Sequence, residues 1–404
     1  MAVSRSFKIA MGTGVALVAA AGLWVAVAVP AVVKYPTDLN VTPEYAGTFR
    51  LYVNPATGAP LAAPQELPLT IDRHLDADGS ASGATRVVVT ETITQKAGTL
   101  LSAVQTNSYV LDRRSMKNVA DGRAYSFDPS NVVDRSGSYR LQFPMGTDAD
   151  KSYPVYKNET GTTYSLTPDS TATGGKIEGL DVDYFKAQAN EVPLSAAYVA
   201  GLRKLVPLPA TMTFDQLQAR LSASGVDLDP ILTGLRAALT PAERTALTQA
   251  LAQPINLSYV STFDGRVAIE PDTGTEVDIV GIKETIGVRP LLNLAPIQAL
   301  LAKYATVPAV KAATPVFAGL ASAPATPVFQ YDYAQTAASV ADIAGEAKDM
   351  RGNIMMAERW IPLGLLALGM VILLGGAATR LRGRVKSGPP ERPAATPPKP
   401  AHYV

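Results

Sequence analysis

The sequence predicts an α+β protein: a β-rich antiparallel extramembrane domain with a helical insertion, flanked by N- and C-terminal transmembrane helices. Three observations predict it. A long charge-free apolar run lies near each end, strand-like alternation recurs between the two runs, and helical periodicity with capping signals interrupts the strands.

The first apolar run is Ile9–Val33, twenty-five residues bounded by Lys8 and Lys34. At about 1.5 Å per residue, a helix of this length exceeds the ~30 Å hydrocarbon core. Ala26 and Ala28 form an A-x-A-like cleavage pattern, but cleaved signal segments have apolar cores of only about 7–15 residues. Residues 9–33 therefore read as an uncleaved transmembrane helix. The second run, Trp360–Thr379, is preceded by Arg359 and followed by the cluster Arg380, Arg382, Arg384 and Lys386, with Trp360 as an interfacial anchor. Gly364, Gly369, Gly375 and Gly376 read as ordinary transmembrane glycines, with close helix packing the alternative.

Arg5 and Lys8 before the first span and the basic cluster after the second both obey the positive-inside rule with the termini in the cytoplasm. Residues 1–8 and the basic, proline-rich tail 380–404 are thus expected inside, and 34–359 outside, in a two-pass plasma-membrane protein. Ser387–Val404 carries six prolines and is expected to be disordered.

Between the spans, Ala84–Gln95 places Val87, Val89 and Ile93 on a period of two, the mark of a half-buried strand. Thr106–Leu111, Ser138–Phe143, Thr162–Leu166, Asn256–Thr262 and Arg266–Ile269 continue the pattern and predict an antiparallel meander. Pro271-Asp272-Thr273-Gly274 closes a hairpin, proline presetting φ and glycine tolerating positive φ. Residues 193–253 turn helical: Thr213 with Gln216 and Thr240 with Glu243 match capping boxes, and Asp229-Pro230 opens a further helix. From Leu291 to Ala325, short helices broken at Pro296, Pro308, Pro315 and Pro324 are expected. Thr-Pro-Val-Phe occurs at 314–317 and 326–329, which does not make a repeat fold. Ala334–Glu358 predicts a stalk helix, assigned to 334–359, running on towards the second span.

Composition removes most chemistry. There is no cysteine, so neither disulfides, thiolate metal sites nor cysteine nucleophiles exist. Of two histidines, His74 sits among charged residues that read as a turn and His402 near the end of the tail, which disfavours histidine catalysis and zinc. Asp181/Asp183 and Asp227/Asp229 read as turn and cap residues rather than an acid–base pair or calcium site. Gly174-Gly175-Lys176 lacks the upstream glycine and following hydroxyl of a phosphate loop. The sequons at Asn40, Asn158 and Asn256 are at chance frequency. Nine of the 36 basic residues lie outside 35–359, with Glu391 alone among the acids. The 27 basic against 34 acidic residues left in the middle give a net −7, which disfavours nucleic acid as a partner.

Tyr35-Pro36-Thr37-Asp38-Leu39, Tyr109–Arg114, Phe143-Pro144-Met145-Gly146-Thr147, Tyr153-Pro154-Val155-Tyr156 and Ile269–Gly274 resemble the actinobacterial PorA-type porins, an envelope family without an assigned function. The resemblance runs over most of the chain and implies a cell-envelope membrane protein. Its motifs are structural rather than catalytic. Two helical spans around an acidic middle are not the pattern of a lipid-facing β-barrel. In topology alone the arrangement is similar to scavenger-receptor class B proteins, which carry lipids through an internal tunnel. The expectation is a non-enzymatic protein without cofactor or metal, whose outer domain binds or conducts a lipid or glycolipid. The alternative is a membrane-anchored scaffold for envelope-assembly proteins. Ligand-binding residues stay open, since Phe317, Phe329 and Tyr331 read equally well as core aromatics.

Overall fold

The computed structural model describes residues 5–54, 58–172, 174–206, 208–223, 225–293, 295–321 and 323–386. The proline-rich segment 387–404, expected to be disordered, lies outside the described residues. The chain divides into two compact units, one of residues 35–349 and one of residues 1–34 with 350–404.

The larger unit is built on an antiparallel sheet. Strands β1 (Glu44–Val53), β2 (Pro60–Ala77), β3 (Arg86–Ala97), β4 (Leu101–Asp112) and the two-residue β5 (Tyr125–Ser126) form one meander. Strands β6 (Tyr153–Lys157), β7 (Thr162–Pro168), β8 (Leu180–Pro193), β9 (Ile255–Glu270), β10 (Thr275–Leu291) and β11 (Thr326–Gln335) form another. The meanders meet where the first strand pairs with the last, in the order β5-β4-β3-β2-β1-β11-β10-β9-β8-β7-β6.

Alternation decides which face is buried. Leu69, Ile71, Leu75 and Ala77 of β2 and Val87, Val89, Ile93 and Ala97 of β3 point into one core, together with Tyr109, Phe185, Ile286 and Phe329. The intervening Thr70, Asp72, His74 and Asp76, and Thr90, Thr92, Thr94 and Lys96, face the other way. The outer face of these strands is therefore polar, the reverse of a barrel whose outward positions meet lipid.

The predicted hairpin joins β9 to β10 with Glu270 opposite Thr275, Gly274 N–H donating to the Glu270 carbonyl at 2.9 Å and Gly274 at φ 72°. The two β9 fragments expected at 256–262 and 266–269 are one strand.

Three local readings are corrected. Ser138–Phe143 is not a strand; it contributes a single bridge, Tyr139 to Val155, beside β6. Val119 N–H bonds the Val110 carbonyl of β4, Asn118 bonds Ser138, and Tyr139 bonds Pro154, so an irregular segment links one edge of the sheet to the other. His74 lies in the middle of β2, not in a turn, its charged neighbours being the outward-facing half of the strand. β2 itself was hidden by Pro60, Pro64 and Pro68, which are tolerated because its pairing with β3 begins only at Leu69. The prolines after Leu291 start helices more than they break them: Pro296 and Pro308 lie in the first turns of Ala295–Lys303 and Pro308–Ala321, and Pro315 sits inside the latter. Val310, Ala313 and Phe317 anchor that helix in an apolar core, which offsets the roughly 3 kcal/mol cost of an internal proline.

That core is shared with the predicted helical insertion. Asp229–Ala238 and Pro241–Leu251 contribute Leu232, Leu235 and Leu247, packed with Ile297, Leu301 and Phe317. Both predicted capping boxes form, Thr240 with Glu243 and Thr213 with Gln216. Helix Ala337–Met355 lays Ala344 and Ala347 on the outer side of the sheet, against Leu180, Val182, Ala268 and Val277.

In the smaller unit, helix Arg5–Leu23 runs through a π-turn, Trp24–Ala28, into Val29–Val32, and π-turn Met356–Trp360 leads into helix Ile361–Lys386. Both runs are long and apolar enough to cross a bilayer. A Cβ on Gly369 would stand 3.0 Å from the Gly14 carbonyl, and one on Gly376 3.0 Å from Ala10, so these two glycines do bring the helices together, whereas Gly364 and Gly375 face open space. Trp24 Nε1–H donates to the Ala357 carbonyl at 2.8 Å, joining the two π-turns.

At Gly47 the backbones of β1 and β11 leave no room for a side chain. A Cβ there would collide with the Asp332 carbonyl and lie 2.6 Å from Tyr333 Cα. Gly47→Ala is expected to lower stability by about 2 kcal/mol or more. Gly201→Ala, in helix Ala196–Leu205 with no neighbour within 4 Å, should instead raise it by up to ~1 kcal/mol. Urea midpoints of the two variants against the parent check both signs.

Candidate functional site

Two charged residues occupy positions that strand alternation reserves for apolar ones. Arg73 lies between Ile71 and Leu75 on the inward face of β2, and Glu91 between Val89 and Ile93 on that of β3. Arg73 Nε donates to Glu91 Oε1 at 2.6 Å. The second oxygen of Glu91 accepts from Asn107 Nδ2 at 2.9 Å and from the Tyr109 hydroxyl at 2.6 Å. Asn158 Nδ2 donates to that hydroxyl at 2.6 Å, and Arg135 binds Asn158 Oδ1 while stacking on the Tyr109 ring, 4.4 Å from its centroid. Glu91 is 0 % exposed, so this network is its entire solvent. Arg73 also reaches Glu276 at 3.6 Å, and Arg140 lies 3.7 Å from Glu91.

A second charged cluster faces the same interior. Lys157 Nζ donates to Glu284 at 2.8 Å and lies 3.4 Å from Glu159, and Ser261 Oγ donates to the other Glu284 oxygen at 2.6 Å.

Both clusters border a cavity of about 150 Å³ on the inner face of the sheet. Ile93, Val155, Leu166, Val267, Ile279 and Ile282 supply apolar wall, and Tyr45, Tyr156, Tyr164, Tyr198, Tyr331 and Tyr333 bring phenol groups to it. Space is left because Ala187 of β8, Gly265 of β9 and Ile282 of β10 are cross-strand neighbours, two of them minimal in size. A Cβ on Gly265 would meet Ile282 at 3.4 Å, ordinary contact distance. Phe263 borders both this cavity and an outer groove near Gln188, Asn190 and Lys283.

Burial by itself raises the Glu91 carboxyl pKa, but the Arg73 and Arg140 guanidiniums outweigh it and bring the group down to about 2. Burial raises Glu276, with Arg73 only partly opposing it. Burial would lower Lys157, yet Glu159 and Glu284 hold it above its ordinary value. Burial, reinforced by Glu284, lifts Tyr331, and burial lifts Tyr333, which keeps both phenols in the neutral form that can donate as well as accept a hydrogen bond.

Of the aromatics left open by the sequence, Tyr331 lines the cavity, Phe329 belongs to the sheet core and Phe317 to the helical core. Asp227 Oδ1 accepts from the Asp229 N–H at 2.9 Å in the turn before the helix, and Asp181 is an exposed partner of Lys176 at 3.4 Å. No metal-binding cluster of three or more His, Asp or Glu occurs among the described residues. Asn158, one of the three sequons, is buried in the network. The sequence reading missed both Arg73 and Glu91; parity with Val89 and Ile93 marks Glu91, whereas Arg73 lies in a strand that the prolines conceal.

A family profile described as Porin PorA matches residues 8–378. No curated protein matches the chain.

Because the Glu91 pKa is depressed on folding, the stability it contributes is present above its ordinary value of 4.5 and is lost as pH falls from there towards about 2. Glu91→Gln leaves Arg73 without its nearest buried counter-charge and is expected to cost about 3 kcal/mol at neutral pH. It should also flatten the acid limb. Thermal unfolding from pH 7 to 2 checks both effects.

Proposed function

The chain belongs to the Porin PorA family, and on that premise we propose that its outer domain binds one end of a lipid or glycolipid in the cavity inside the sheet, without catalysing a reaction. What carries this reading is the cavity's make-up: aliphatic and aromatic walls set with six charged side chains and Gln95, polar groups that can orient a ligand against an apolar surface. Its volume of about 150 Å³ is below the roughly 300–1,000 Å³ of pockets that hold drug-sized ligands, so it suits the end of an amphiphile and not the whole molecule. The polar outer face of β2 and β3 favours helices, not strands, as the membrane-crossing elements. The scarcity of histidine and absence of cysteine fit a binding role.

The basic residues at both ends favour an orientation with the termini in the cytoplasm and the sheet outside. A chain without cysteine allows a direct check. In intact cells a membrane-impermeant maleimide is expected to label Ser130→Cys, on an exposed loop, and to spare Ser6→Cys and Ser387→Cys. The opposite pattern reverses the topology.

Native mass spectrometry of detergent-extracted protein, followed by organic extraction, tests binding. A stoichiometric envelope lipid is expected with the parent chain, and at least tenfold less with Gly265→Leu, which fills the cavity at a site where the first side-chain atom fits. An empty parent protein that retains other proteins would support the scaffold reading instead.

A further inference from the structure

Within that reading, we propose that the group received by the cavity is uncharged and hydroxyl-bearing, and not a phosphate, carboxylate or ammonium. The walls hold no free positive charge: Arg73, Arg140 and Lys157 stand against Glu159, Glu276 and Glu284, with Glu91 behind them. Arg73 is 3.6 Å from Glu276, Lys157 is 2.8 Å from Glu284, and Arg140 is 3.7 Å from Glu91 behind the wall. An anion entering this interior would bring a buried charge with no free counter-charge.

What remains unfilled is hydrogen-bonding capacity of both senses. Arg73 Nη2 and Arg140 Nε are buried donors without a hydrogen-bond partner among the described residues, and Arg73 is only 8 % exposed. Gln95 Oε1 is a buried acceptor in the same condition, and Glu159 Oε2 has only the 3.4 Å ionic contact with Lys157. All four side chains line the one cavity. Carboxylate and fully ionised phosphate groups only accept and an ammonium only donates, so none of these satisfies both sets, whereas hydroxyl groups donate to Gln95 and Glu159 and accept from the two arginines. The neutral phenols of Tyr331 and Tyr333 extend the same surface.

The test titrates the full chain in nanodiscs with water-soluble probes of equal chain length, hexyl glucoside, hexanoate and hexyl phosphate, by saturation-transfer NMR. Hexyl glucoside is expected to bind at least tenfold more tightly than either anion, and Gln95→Leu to weaken it about tenfold, the usual effect of losing one buried hydrogen bond. Equal or tighter binding of an anion overturns the uncharged headgroup while leaving the binding reading intact. Binding of no probe, with no lipid co-purifying from cells, overturns both.

Discussion

A buried arginine–glutamate pair constrains the interior of this protein more than any other contact. Arg73 and Glu91 sit on the apolar faces of neighbouring strands, and neither is tolerable there alone. Each further group around them answers a remaining hydrogen-bonding demand: Asn107 and Tyr109 for the carboxylate, Asn158 for the tyrosine, Arg135 for the asparagine. Arg135 reaches the Ser108 carbonyl of β4 at 2.8 Å, and Asn158 follows β6. The polar network thereby ties the irregular segment between β5 and β6 to both edges of the sheet, where no continuous ladder does so. Apolar packing alone would not specify that junction, because it carries no directional demand.

The same network explains why the interior holds a cavity. Long charged side chains held in fixed pairs cannot relax to fill space, and Ala187 with Gly265 leaves room opposite them. A wholly apolar interior would have been free to collapse. Space, neutralised charge and unfilled hydrogen bonds arise together in one place, which distinguishes this interior from the compact helical core around Leu235 and Phe317.

Membership of the Porin PorA family sits beside an architecture in which two apolar helices are the candidates for crossing the membrane. The sheet presents threonines, aspartates and Lys96 outward along β2 and β3. The helices meet through Gly14, Gly369 and Gly376, small residues that let backbones approach where no hydrophobic effect drives association.

Features governed by local chemistry were readable in the sequence: the two apolar helices, the antiparallel class, the Pro271–Gly274 turn and both capping boxes. Each depends on residues within a few positions of one another. Features governed by distant partners were not. Thr-Pro-Val-Phe is helical at 314–317 and extended at 326–329, because one copy packs into the helical core and the other pairs with β1 and β10. β2 could not be told from a loop until the neighbours of its prolines were known. The candidate site lay between these cases. Sequence parity puts Glu91 on an inward face of a predicted strand, but only the tertiary fold decided that Arg73 meets it, that Arg140, Lys157 and Gln95 join them, and that a cavity remains. Alternation is a property of one strand, whereas charge pairing and empty space belong to the way the strands curl together.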